Sequence, residues 1–159
     1  MRDTLSVRRI QLLHPKVRGA ATAFIEECES TLDVTIRVVQ GLRTFEEQDA
    51  LYAQGRTKPG NKVTAAKGGQ SFHCFGLAID IVPIQNSKAD WSFDFDKLSA
   101  LCTKYGLTSG KAWNDNDHYE FNFGHGPSGW RYFLDLHNAH AVDAEGYIIF
   151  PEELPSGVA

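Results

Sequence analysis

Apolar positions recur at helical spacing in "KVRGAATAFIEECEST" (residues 16–31), where Val17, Ala20, Ala21, Phe24 and Ile25 share one face, so the pattern predicts an amphipathic helix. The period then drops to two. In "LDVTIRVVQGLR", Val34, Ile36 and Val38 alternate with Thr35, Arg37 and Val39, which predicts a strand closed by Gly41. A second helix is expected in "TFEEQDALYAQG", with Thr44 as N-cap, Glu47 completing a capping box and Gly55 marking the end. Residues 56–71, "RTKPGNKVTAAKGGQS", are rich in Gly, Lys, Thr and Pro and form the longest loop-like stretch. Long loops in compact domains tend to carry function.

Alternation returns in "GLAIDIVPI", with Leu77, Ile79 and Ile81 on one face and Ala78, Asp80 and Val82 on the other. Residues 94–106, "DFDKLSALCTKYG", read as a helix with Phe95, Leu98, Leu101 and Cys102 inward and Gly106 as its cap. "HYEFNF" reads as a short strand, "SGWRYFLDLHNAHAVD" as a helix, and "EGYIIFPEELPSG" as a short strand followed by a frayed end. Interspersed helices with few strands favour an α+β fold: a single domain over residues 1–159, with a small antiparallel sheet flanked by helices.

Composition narrows the function classes. The 159 residues suffice for one core, and 42% hydrophobic with 23% charged residues is ordinary for a globular protein. A formal charge of -4 supplies no basic field for a phosphate backbone, so nucleic acid is not an expected partner. No run approaches the 18 apolar residues of a membrane span, and "MRDTLSVRRIQLLHPKVRG" lacks the apolar stretch of a secretory signal. The expectation is synthesis in a cytoplasm, no membrane insertion and a monomer. Cys28, Cys74 and Cys102 are odd in number and form no CxxC pair, which predicts free thiols.

The stretch "SFHCFGLAID" ends a small, apolar run on a carboxylate, and an unpaired buried charge costs several kcal/mol. A salt bridge, a hydrogen-bond network or a metal ion has to compensate Asp80. For a metal, His73 stands seven residues upstream with Gly76 to bend the chain between them, and His118 opens the next strand after the acidic, turn-forming "WNDND". Two histidines and one carboxylate leave a tetrahedral zinc with one open position for water, the catalytic arrangement. A hydrolase also needs a carboxylate near that water. Asp115, three residues before His118, suits a tight turn better than the adjacent Asp117, and Glu120 shares the side of His118 on the strand.

These segments also carry a resemblance. "SFHCFGLAID" matches Ser-x-His-x-x-Gly-x-Ala-x-Asp, and "WNDNDHYEF" is similar to Trp-x-Asp-x-x-His-(Phe/Tyr)-Glu. Both signatures are those of the zinc D-alanyl-D-alanine carboxypeptidase and L-alanyl-D-glutamate endopeptidase family, which includes VanY-type enzymes and phage endolysins. "GLRTFEEQDALYAQGRTKPGNKVTAAKGG" resembles the same family, and the matched blocks run from about Leu13 to Phe121. The C-terminal helix and tail, residues 128–159, match nothing specific.

The resemblance implies a hedgehog/D,D-peptidase-like fold and one Zn2+ per chain held by His73, Asp80 and His118. It implies Asp115 as catalytic base and Arg43 as the group that polarises the scissile carbonyl. It makes Gln48 and Ser71 substrate-binding or site-orienting residues, and peptidoglycan stem peptides the partner. An Asp rather than a Glu at position 115 points to the L-alanyl-D-glutamate endopeptidase branch, with a D-alanyl-D-alanine carboxypeptidase as the alternative. A non-catalytic zinc-binding module, as in hedgehog signalling domains, is the second alternative. Arg43, Arg56 and Lys58 are expected anchors for an anionic substrate. A chain with no room for a wall-binding module implies a small phage or prophage endolysin, acting on the wall after release from the cell.

Overall fold

The computed structural model describes residues 1–153 and begins with a helix that the apolar pattern does not announce, α1 (Thr4–Gln11). Asp3 caps it by accepting from the Ser6 N–H at 2.9 Å. Periodicity conceals α1 because one of its two buried residues is Ser6, the other being Ile10. The Ser6 hydroxyl donates to Asp3 at 2.7 Å and accepts the Val38 N–H at 2.8 Å, which fastens α1 along the first strand, β1 (Thr35–Gln40). In α2 (Pro15–Leu32), the buried Glu29 accepts the Ile36 N–H at 3.1 Å. Side chains thereby occupy the free edge of β1, which would otherwise offer unpaired backbone groups to another chain.

The sheet is antiparallel and runs in the order β1, β2 (Ala78–Gln85), β5 (His118–Glu120), β4 (Thr108–Ser109), with β3 (Lys88–Ala89) folding back on the end of β2. Asn86 and Ser87, both at positive φ, make the tight turn into β3. On its inner face Ile36, Val38, Ile79, Ile81 and Tyr119 meet Phe24 and Ile25 of α2, all fully buried. Each such side chain contributes roughly 1.5–3 kcal/mol relative to exposure. This core fixes β2 and β5 side by side, with Asp80 opposite Gln40 on one flank and His118 on the other.

The remaining helices are α3 (Phe45–Ala53), α4 (Asp96–Cys102) and α5 (Trp130–Asn138). The capping box of α3 forms as expected, with Thr44 and Glu47 exchanging hydrogen bonds. The helix expected over residues 94–106 is α4 continued by a 3-10 turn, Thr103–Tyr105, and closed by Gly106 in the left-handed conformation. The architecture is α+β. One expected strand is absent: "EGYIIFPEE" forms only an isolated bridge, Val142 to Ile148, and a 3-10 turn at Pro151–Glu153. Ile148 and Phe150 still alternate inward, but no sheet edge is open to them, because side chains cover β1 and β4 is two residues long. The strand expected in "HYEFNF" stops after three residues, and the frayed end expected from residue 154 lies outside the described residues.

Candidate metal centre

His73 sits in a 3-10 turn, Phe72–Phe75, that enters β2. Ser71 opens the turn by accepting the His73 N–H on its hydroxyl at 3.3 Å, and Gly76 closes it at φ 67°. Only glycine fits there. A Cβ on Gly76 would stand 2.6 Å from the backbone nitrogen of His14, whose N–H donates to the Gly76 carbonyl at 3.0 Å. The bend brings the His73 ring back over Asp80. Asp115 and His118 share a turn in which Asp115 N–H donates to Gly110 and His118 N–H to Asp115, at 3.1 and 3.2 Å. Gly110 is required beneath it, since a Cβ would lie 2.5 Å from the Asp115 carbonyl oxygen.

His73, Asp80 and His118 each place one ligand atom within 4.8 Å of the others. His73 Nε2 and His118 Nδ1 lie 3.1 and 3.0 Å from the same oxygen, Asp80 Oδ1. The far side of each ring decides what these atoms are. His73 Nδ1 faces the Gly41 carbonyl at 2.8 Å, and a carbonyl only accepts, so the ring proton resides there. His118 Nε2 faces Glu120 Oε2 at 3.1 Å and donates to it. With those outer partners in place, His73 Nε2, His118 Nδ1 and Asp80 Oδ1 turn toward one point, where a proton or a cation has to separate them. Two imidazole nitrogens, each ring held by an outer acceptor, and one carboxylate oxygen fit zinc.

Without an ion, a ring proton fills that gap. Burial opposes ionisation of Asp80, yet the two imidazoles outweigh it and hold the carboxyl well below the usual carboxylate range. Burial likewise opposes charge on His118, but hydrogen bonds to Asp80 and Glu120 push its pKa up to about 10. Asp117 is pushed up to about 6 by burial and by the charges of Asp80 and Asp115.

The three residues lie in a cleft of about 590 Å³, lined also by Arg43, Ser71, Asp115 and Glu120. Arg43 follows β1, donates its backbone N–H to His73 O at 3.0 Å and, among the described residues, is the only lysine or arginine of the lining. Gln48 is fully buried and does not line the cleft. Its Oε1 accepts from the Arg43 guanidinium at 2.7 Å while its Nε2 donates to the Ala66 carbonyl at 2.8 Å. It thus ties Arg43 to the loop wall built by Val63–Ala66 and Gln70.

The remaining expected anchors lie elsewhere. The Arg56 guanidinium binds the Tyr52 and Thr64 carbonyls and stacks on the Tyr52 ring, and neither Arg56 nor Lys58 lines the cleft. Sequence reasoning did not single out Trp113 and Trp130, which form cleft walls with Pro127. Trp113 stood inside a quoted motif, whereas Trp130 enters from α5 and no local pattern marks it. The three cysteines are free and buried, and burial pushes the Cys28 thiol up to about 12. Among the described residues no helix is long and apolar enough to cross a membrane.

Comparison with known proteins places this geometry in a context. The profile of the VanY family, described as D-alanyl-D-alanine carboxypeptidase, matches residues 10–133. The chain is 41% identical over 85 residues to the peptidoglycan L-alanyl-D-glutamate endopeptidase CwlK of Bacillus subtilis (strain 168), an alignment covering 53% of the chain and 50% of that protein. The chain thus spans about half the length of this curated relative. Among solved structures, the L-Ala D-Glu endopeptidase ChiX of Serratia marcescens superposes with a TM-score of 0.55 at 18% identity, over 78% of this chain and 91% of that one. A vancomycin-resistance D,D-pentapeptidase VanY, from a VanB-type cassette and in complex with Zn(II), gives 0.54 at 17% identity, over 77% and 78%. At these identities the likeness is one of fold.

Proposed function

From the premise that the chain belongs to the VanY family of D-alanyl-D-alanine carboxypeptidases, a family of peptidoglycan-hydrolysing metallopeptidases, we propose that it is a zinc-dependent peptidase cleaving the L-alanyl-D-glutamate bond of stem peptides. The observation that carries this reading is the convergence of His73 Nε2, Asp80 Oδ1 and His118 Nδ1 in a cleft that also holds Arg43 and Asp115. These three residues would hold one zinc ion. Bound there, zinc supplies Lewis acidity and an acidified water.

The chain's own residues do the rest. Asp115, exposed at the cleft wall and fixed by its turn over Gly110, takes the proton of the attacking water and returns it to the leaving amine. Arg43 stabilises the oxyanion, its guanidinium held ready by Gln48, so little reorganisation is needed when charge develops. Ser71 orients His73 by capping its turn and lines the cleft beside it. In this reading Gln48 positions Arg43 and does not touch substrate. The Asp at position 115 and the similarity to CwlK support the endopeptidase over the D-alanyl-D-alanine carboxypeptidase. The biological setting we infer, from the resemblance alone, is that of a phage or prophage endolysin.

The test separates metal from catalysis. Asp115→Ala should retain one zinc per chain while wall degradation falls by orders of magnitude, and His118→Ala should lose the metal. Undiminished lysis by Asp115→Ala would refute the assignment of the base. A His118→Ala protein that still binds one zinc tightly would refute the ligand set.

A further inference from the structure

Glu120 is 2% exposed, and its two carboxylate oxygens live differently. Oε2 accepts from His118 Nε2 at 3.1 Å, whereas Oε1 is buried with no hydrogen-bond partner. A carboxylate present only to support the fold would have both oxygens satisfied, because a half-paired buried charge costs stability. No lysine or arginine pairs with it among the described residues. The one hydrogen bond its side chain makes among the described residues is to the His118 ring.

Strand geometry explains how that bond is possible. His118 and Glu120 are two apart on β5 and share a face, while Tyr119 between them enters the core. On β2 the same face carries Asp80 opposite His118 and Ala78 opposite Glu120. Directly opposed Cβ atoms on paired strands are about 4.5–5.5 Å apart. A methyl at position 78 leaves the Glu120 carboxylate room to turn along its own strand toward the His118 ring, and Ala78 is itself 1% exposed, so there is no spare space for a larger group.

We propose that Glu120, seated opposite Ala78, is a positioning residue: by accepting the Nε2 proton it fixes the His118 ring so that the Nδ1 lone pair faces Asp80 and His73. Its donor–acceptor role mirrors that of the Gly41 carbonyl toward His73 Nδ1, so the two rings are oriented by independent acceptors, one on the backbone and one on a side chain. The side-chain acceptor is anionic and raises the basicity of the ring it holds, as outer partners of metal-bound histidines do. This inference rests on the metal site proposed above but not on which peptide bond is cut.

The experiment measures zinc affinity on the full chain by competition with a chromophoric chelator, for the wild type, Glu120→Gln, Glu120→Ala and Ala78→Val. Glu120→Ala should weaken zinc binding by about 10–100-fold, the range found for outer partners of metal ligands. Glu120→Gln should fall between, because its amide oxygen still accepts the Nε2 proton without the charge. Ala78→Val keeps every ligand and Glu120 itself but crowds the carboxylate, and should weaken binding about tenfold.

A second readout is the His118 Nε2–H resonance of the zinc-loaded protein. It should be protected from exchange in the wild type and exchange rapidly in Glu120→Ala, with Glu120→Gln restoring part of the protection. If Glu120→Ala does not fold, Glu120→Gln and Ala78→Val decide by the same measurements. Unchanged affinity and unchanged exchange in the folded variants overturn the proposal. A His118→Ala protein that keeps its zinc overturns the metal site instead.

Discussion

Replacing Gly76 by alanine tests the link between the fold and the site, because this residue both ends the turn that carries His73 and anchors it to the start of α2. Two costs add. At φ 67° an alanine occupies the left-handed region, which costs about 1–2 kcal/mol. Its Cβ would also meet the His14 nitrogen at 2.6 Å and the Leu13 carbonyl carbon at 3.2 Å, both backbone, so a segment has to move. Overpacking of this kind costs typically 1–3 kcal/mol. Gly106 is the matched control: its φ is 78°, and an added Cβ meets nothing within 4 Å. Gly106→Ala should therefore show only the conformational cost, and the smaller gain from restricting the unfolded chain cancels between the two variants.

The expected difference is about 1–3 kcal/mol, read as a separation of urea midpoints on the order of 1 M for slopes of about 1–3 kcal/mol/M. Chelator is kept present so that metal binding does not enter. With zinc added, Gly76→Ala should also bind the ion more weakly, because the displaced turn carries His73. Gly106→Ala should bind it normally. Equal destabilisation by the two substitutions, or normal zinc affinity in Gly76→Ala, would refute the reasoning.

Three further outcomes are expected. Gln48→Leu removes both the acceptor for Arg43 and the donor to Ala66, so kcat/KM should fall about 10–100-fold with zinc content unchanged, and stability by about 1–3 kcal/mol; loss of zinc instead would place Gln48 elsewhere in the account. His14 is buried and neutral, with Nδ1 accepting from Lys16 and Nε2 donating to the Ile148 carbonyl, and burial holds its pKa below the ordinary value of 6.5. Its folded form binds the proton less readily than its unfolded form, so its contribution to stability is complete above pH 6.5 and is lost as pH falls through that value toward the depressed one. His14→Gln should reduce the slope of stability against pH between 7 and 5 relative to the wild type, and parallel curves would contradict the assignment. Zinc binding at neutral pH should release protons, since the pKa of His118 stands near 10 without the ion; calorimetry in buffers of different ionisation enthalpy measures this, and a buffer-independent heat would contradict it.

What the sequence disclosed, and what it did not, follows the range of the interactions involved. The helix over residues 16–31, β1, α3 with its capping box and the entry into β2 are stated by local spacing, and the structure forms each of them. The convergence of His73, Asp80 and His118 was suggested by the residue types and the Gly76 bend and singled out by the family resemblance, and the pairing of β2 with β5 sets Asp80 opposite His118. α1 was not legible, since its buried face depends on Ser6, a polar residue whose partner on β1 lies 32 positions away. The alternation in "YIIF" was a true sign of inward packing and a false sign of a strand, because a strand needs a vacant sheet edge, which one segment cannot report. Arg56 was misplaced for a similar reason: its charge pointed to an anionic ligand, but its guanidinium is occupied by two carbonyls and the Tyr52 ring.

The most direct test is mass spectrometry of purified peptidoglycan digested by the zinc-loaded protein, with a chelated sample beside it. New amino termini on D-glutamate and L-alanine carboxyl groups left on the muramoyl side are expected, abolished by chelator and restored by zinc. Release of free D-alanine with the L-alanyl-D-glutamate bond intact would contradict that expectation.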